Sequence, residues 1–208
     1  VTASPSVRAF EVRHLQIARA LFAALATVMV TFSPDHSAAV GLSVFSGFAI
    51  ATGLVFALAA WLVFPAGSRG PAVLLAVLNV VAGMVAGIGP WRTTEVFFVV
   101  LIAWAVATAL AEIVPAIRAR RAGGNDRDAL AIGILTAVLA VAVALVPTGY
   151  ALEYYIAEAG QSFTLTGTVI AVGIFGGYAA IVAVYLGIAG FSPRREPVTA
   201  ASSEEVGS

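Results

Sequence analysis

The sequence predicts an all-α, polytopic integral membrane protein with six transmembrane helices, and three observations predict it. Of 208 residues, 61% are hydrophobic and only 11% charged, where a soluble domain carries about 25% charged residues. The mean hydropathy is +1.00. Apolar runs of about 20 residues recur along the chain, the length needed to cross a hydrocarbon core of about 30 Å. The ten-residue alternating segments of a transmembrane β-barrel do not appear.

The runs fall at roughly 16–33, 38–63, 71–89, 94–117, 128–146 and 165–190, separated by turn formers or charge. A cytoplasmic arm (1–14) precedes the six-helix domain (15–192). A polar tail (193–208), SPRREPVTAASSEEVGS from Ser192 onward, has a composition expected for disorder. A cleaved signal peptide is the alternative for the first run, but its apolar core is longer than a typical h-region. With the N-terminus inside, ten of the eleven arginines lie on the inner side and only Arg92 lies on the other. This bias predicts that both termini are cytoplasmic. Every basic residue is Arg and Ala is abundant, which fits a GC-rich bacterial genome and hence a bacterial cytoplasmic membrane.

An internal repeat runs through the chain. FAALATVMVTFSP, LNVVAGMVAGIGP and LTAVLAVAVALVP end on Pro34, Pro90 and Pro147, 56 and then 57 residues apart. Fifteen residues after the first two prolines come AIATGL and AVATAL, in register at the same 56-residue offset. A fixed period of this length signals a repeat architecture. The expected units are three parallel helical hairpins, 15–68, 71–122 and 127–192. Proline just beyond a helix end cannot continue the helix. The third unit carries a longer outer loop with Tyr150, Tyr154, Tyr155 and Phe163. Aromatic rings at that depth suit a headgroup-level belt, as a short surface helix; an external docking patch is the other reading.

Small residues are expected to hold the helices together, because lipid offers no hydrophobic drive for association. Four-residue spacings place Ser43, Gly47 and Ala51 on one face of the second helix, Asn79, Gly83 and Gly87 on one face of the third, and Gly173 and Gly177 on the sixth. Asn79 reads as an interhelical hydrogen bond or as a pore contact. The partners expected from these faces are the lipid bilayer and a second copy or a larger membrane complex.

Much chemistry is excluded. Net charge is zero and no basic patch tracks phosphates, so nucleic acid is not an expected partner. The chain has no cysteine, which rules out disulfides, thiolate metal sites and cysteine nucleophiles. His14 and His36 fall on opposite membrane faces and cannot share a metal. Asp35-His36 reads as a solvated loop or as a pH-responsive pair. No metalloprotease, nucleophile-elbow, P-loop or dinucleotide motif is present. No catalytic, cofactor or metal residue is therefore expected.

Glu112 is the charge that the hydropathy places clearly within a span. Its equivalent in the first hairpin is Phe56, and Thr108, matched by Thr52, lies one turn earlier on the same face. Arg19 is assigned to the inner end of the first helix. Two readings of Glu112 stand: an anchor near the inner headgroups, approached by snorkelling arginines such as Arg118, or a working charge. Pro115 beside it removes a hydrogen bond to the Ala111 carbonyl.

The middle hairpin, VLNVVAGMVAGIGPWRTTEVFFVVLIAWAVATALAEIVPAIRAR over 77–120, carries the features of a known family: a glycine-bearing apolar helix, an outer proline, a mid-helix Trp104, then Glu-Ile and an arginine. On these features the chain resembles the HdeD-like family of small bacterial membrane proteins. The resemblance implies six helices built from two-helix repeats, a link to acid resistance or stress, and no established catalytic site. The expected function is thus a non-enzymatic membrane protein, either a stress factor or an accessory subunit. A small transporter or channel is the alternative.

Overall fold

A computed structural model describes residues 11–124, 126–158 and 160–192. The expected tail and the first ten residues of the expected arm lie outside the described residues. Six long helices follow one another: α1 (Val12–Phe32), α2 (Ala38–Leu62), α3 (Gly70–Gly87), α4 (Thr94–Arg121), α5 (Arg127–Ala144) and α6 (Gly167–Phe191). Each is long and apolar enough to cross a membrane. The shortest have 18 residues, about 27 Å at 1.5 Å per residue.

Local chemistry sets the helix ends. α1, α3 and α5 stop shortly before Pro34, Pro90 and Pro147. α2, α4 and α6 start on hydroxyl caps: Ser37, Thr93 and Thr166 accept the backbone N–H of Val40, Val96 and Val169. These six ends define the hairpin end of the bundle. The opposite end holds the start of α1 and the end of α6, and is called the arginine end here. α4 continues through Pro115 to Arg121, past the expected exit at 117. Neighbouring helices can support a proline-interrupted helix of this kind.

The helices form a closed ring in chain order, with α6 returning to α1. α2, α4 and α6 bury the larger share of their length, and α2 touches both α4 and α6. These three are the inner helices. The closest neighbours are α2 with α3, α4 with α5 and α1 with α6. They are not the pairs joined at the proline turns, which the sequence groups as hairpins.

Glycine placement explains the difference. A Cβ on Gly83 would come within 2.7 Å of Ile50 and 3.0 Å of the Ser46 carbonyl, so α3 lies directly on α2. Ser46 Oγ donates to the Gly83 carbonyl at 2.7 Å across that contact. Gly133 does the same for α5 on α4: a Cβ there would lie 2.6 Å from Ile113 and 3.1 Å from the Glu112 Cβ. A Cβ on Gly87 would lie 3.2 Å from the Ser46 hydroxyl. The other expected stripes make no such contact within the chain. Gly47, Gly173 and Gly177 have no neighbour within 4 Å of such a Cβ and face outward, while α6 reaches α1 through Gly176 and Gly190. Four-residue spacing selects one helix face but not which face turns inward.

Leu58, Val99, Val138 and Ile188 are among the large apolar side chains on the outer surface, as lipid contact requires. Trp61 and Trp91 are exposed at the arginine and hairpin ends respectively, where amphipathic rings suit the two interfaces.

The outer loop is not a surface helix. It is an antiparallel β-hairpin, β1 (Ala151–Ile156) with β2 (Gln161–Thr166), and β2 leads directly into α6. Alternation drives it: Leu152, Tyr154, Ile156, Phe163 and Leu165 share one face, while Glu153, Ser162 and Thr164 share the other. Tyr154 stacks on Phe163 at 6.0 Å. Gly160 takes the positive φ (+64°) that the tight turn requires.

Gly133→Ala is expected to lower the unfolding temperature in detergent, at a cost of about 1–3 kcal/mol from overpacking α5 against α4. Gly173→Ala, on the open face, is expected to leave it unchanged.

Candidate functional site

The inner helices enclose a polar axis that begins at the arginine end. A cavity of about 640 Å³ opens there, between the starts of α1, α3 and α5 and the ends of α2 and α4. Its walls are mostly apolar, with Leu15, Phe64 and Leu75, and include Pro115 of α4. Near its mouth Asp128 joins three helices. One carboxylate oxygen accepts from Gln16 Nε2 of α1, and the other accepts from the Tyr185 hydroxyl of α6 at 3.1 Å.

At the base lies an ion pair. Arg19, seven residues or about 10 Å into α1, donates from Nη2 to Glu112 Oε1 at 2.9 Å. The two side chains are only 13% and 2% exposed. The guanidinium also stacks over the Phe56 ring, 4.5 Å from its centroid. An Arg over an aromatic face gains cation–π attraction, and more when water is excluded. The pair therefore ties α1 to α4, with α2 supplying the ring beneath. Glu112 Oε2 is buried and has no hydrogen-bond partner.

Beyond Arg19 is a second, much smaller void of about 10 Å³, lined by Arg19, Phe48, Thr52, Thr108, Trp104 and Tyr178, with Asn79. The Thr52 and Thr108 hydroxyls are buried and unpartnered. Asn79, 1% exposed, has both polar atoms bonded: its amide nitrogen donates to the Leu75 carbonyl at 2.8 Å and its oxygen accepts from Trp104 Nε1 at 3.1 Å. It thereby joins α3 to α4. Tyr178 of α6 meets Thr136 of α5 at 2.8 Å. Thr136 donates its one proton to the Ile132 carbonyl, so the tyrosine is the donor in that pair.

Edge-to-face rings close the axis toward the hairpin end. Phe45 lies 5.0 Å from Trp104 and 5.7 Å from Phe175, and Phe48 contacts both at 6.0 and 5.7 Å. This aromatic plug joins α2, α4 and α6.

Among the sequence candidates, Glu112, Thr108 and Asn79 all line this axis, whereas Gly83 and Gly87 seat α3 on α2 beside it. Two expectations are corrected. Arg19 is not at the helix end but seven residues inside α1, half-buried against Glu112 and Phe56. Arg118 and Arg120 do not reach Glu112; both are exposed. A hydropathy window treats an arginine as the margin of a span and has no information about which helix face it occupies. Gln16, Tyr178 and Asp128 carry no sequence signal either. The 56-residue offset does foreshadow Thr52 beside Thr108 and Phe48 beside Trp104. His14 accepts the Glu11 N–H at 3.0 Å, and Asp35 accepts from the Ser37 N–H and hydroxyl at 2.8 and 2.9 Å.

The arrangement can bind. Arg19 has five N–H donors and one is committed to Glu112, whose second oxygen is buried and unpartnered. A small molecule entering the cavity meets the part-exposed guanidinium at the end of an apolar passage. That is the usual composition of a small-molecule site. No family model, curated protein or solved structure matches this chain.

Removing one member of the buried pair strands the other. Arg19→Met alone is expected to cost about 3–5 kcal/mol of unfolding free energy in detergent, and Arg19→Met with Glu112→Leu to recover most of it. A loss in the double variant equal to the sum of the Arg19→Met and Glu112→Leu losses would show that the pair is not coupled.

Proposed function

We propose that this chain is a non-enzymatic carrier for a small solute, with the bundle spanning a bacterial cytoplasmic membrane and its cavity opening to the cytoplasm. The observation that carries this reading is the one-ended passage. A cavity of about 640 Å³ reaches a buried ion pair with spare hydrogen-bonding capacity, and an aromatic plug blocks the far side. An ionisable pair inside a membrane bundle is costly to retain and typically marks a substrate or ion pathway. A carrier with one side open has this shape.

The positive-inside bias supports placing the arginine end and both termini in the cytoplasm. The parallel two-helix repeat is supported by residues at one offset in like settings: Ser37 and Thr93 as caps, Phe48 and Trp104 in the plug, Thr52 and Thr108 at the void, Phe56 and Glu112 against Arg19.

A second reading has its own observation. The β-hairpin stands at the hairpin end with its apolar face exposed, a surface suited to an accessory subunit. The HdeD-like resemblance would give either function a setting in acid or stress resistance.

Flux into proteoliposomes, with and without a pH gradient, tests the carrier reading against a panel of monovalent ions, amino acids and weak acids. Saturable flux that Glu112→Gln abolishes is expected; no flux with any member of the panel overturns the carrier. Orientation is read separately, because the chain has no cysteine. In intact cells a membrane-impermeant maleimide is expected to label Glu153→Cys and to spare Ser68→Cys, and the reverse pattern inverts the topology.

A further inference from the structure

The small void behind Arg19 is a site in its own right. Two threonine hydroxyls, on Thr52 (5% exposed) and Thr108 (4% exposed), line it and find no partner. Hydroxyls buried without a partner cost free energy, and native interiors seldom leave two in one place. Both come from the inner helices α2 and α4, at equivalent repeat positions, so one side chain does not explain both.

Size and chemistry restrict the guest. About 10 Å³ of open volume accommodates one water-sized molecule. Around it stand hydroxyls that both donate and accept, the Arg19 guanidinium, and ring faces and edges from Phe48, Trp104 and Tyr178. No carboxylate lines the void, so nothing there neutralises a metal cation. The Arg19 charge already has its counter-ion in Glu112, so an added anion would be buried without compensation. A neutral hydrogen-bonding molecule remains.

We propose that this void is an inner station for one water molecule, bridging the Thr52 and Thr108 hydroxyls, with Arg19 as the partition between it and the open cavity. Arg19 lines both volumes, and its hold on Glu112 and Phe56 keeps them apart. The station requires only that the void is wet, and it stands whether or not any solute is carried.

Radiolytic hydroxyl-radical footprinting in detergent tests it, because a bound water generates radicals beside otherwise shielded side chains. Trp104 and Tyr178, only 5% and 9% exposed, are expected to be oxidised, after normalisation to each side chain's intrinsic reactivity, well above Phe45 and Phe97, which are fully buried and do not line the void. Thr52→Val with Thr108→Val is expected to abolish that excess, while Thr52→Ser with Thr108→Ser retains it. Wild-type labelling of Trp104 and Tyr178 no greater than that of Phe45 and Phe97 would show a dry void and overturn the proposal. So would labelling that persists unchanged in the double valine variant. The wild-type comparison decides the matter even if the valine variant fails to assemble. Proteoliposome flux plays no part in this readout, so the carrier and the station can fail independently.

Discussion

A charge inside a membrane bundle is tolerated only when something holds it, and the pairing of Arg19 with Glu112 is the constraint around which this bundle is arranged. The guanidinium comes from an outer helix, α1, whose neighbours are α2 and α6. It must pass between them to reach α4. α1 therefore cannot rotate or slide without exposing a charge to hydrocarbon, and the guanidinium packs over the Phe56 ring of α2. Buried pairs are weak sources of net stability but strong penalties against the wrong arrangement. Here the penalty selects one placement of α1 in a bundle whose apolar surfaces alone discriminate poorly.

The remaining polar contacts add to that selection in layers. Near the mouth, Asp128 ties α5 to α1 and α6. Deeper, Asn79 with Trp104 ties α3 to α4, and Tyr178 with Thr136 ties α6 to α5. Between the layers, helices approach closely where glycines permit, and dispersion contacts then supply the attraction that lipid does not. Glycine sets the distance between helices; the polar pairs set the register.

Much of the fold was legible in the sequence, for a physical reason: hydrocarbon imposes length and composition on each span separately. Six runs and the proline-marked ends follow from local rules. What was not legible depends on facing. Gly47 and Gly83 look alike in the sequence, yet one faces outward and the other presses on Ser46. Arg19 resembled a helix margin because hydropathy sums over all sides of a helix. The β-hairpin was readable in the alternation of LEYYI and QSFTLT, but six-residue strands compete poorly for notice beside spans four times as long. Of the candidate site, Glu112, Thr108 and Asn79 could be singled out as polar residues within apolar runs. Their common axis could not, because it depends on how three helices turn toward one another.

The depth of the cavity has an electrical consequence. In a membrane at 100 mV, carrying one charge across the full potential is worth about 2.3 kcal/mol. Water filling the passage would bring bulk potential down to Arg19, leaving the voltage to fall across the aromatic plug and the packed layer beyond it. The field there would be steeper than in the surrounding lipid, with the guanidinium at its edge. A bundle that looks uniformly thick would be thin to voltage, and a small displacement of Arg19 toward the plug would move its charge through a disproportionate share of the drop.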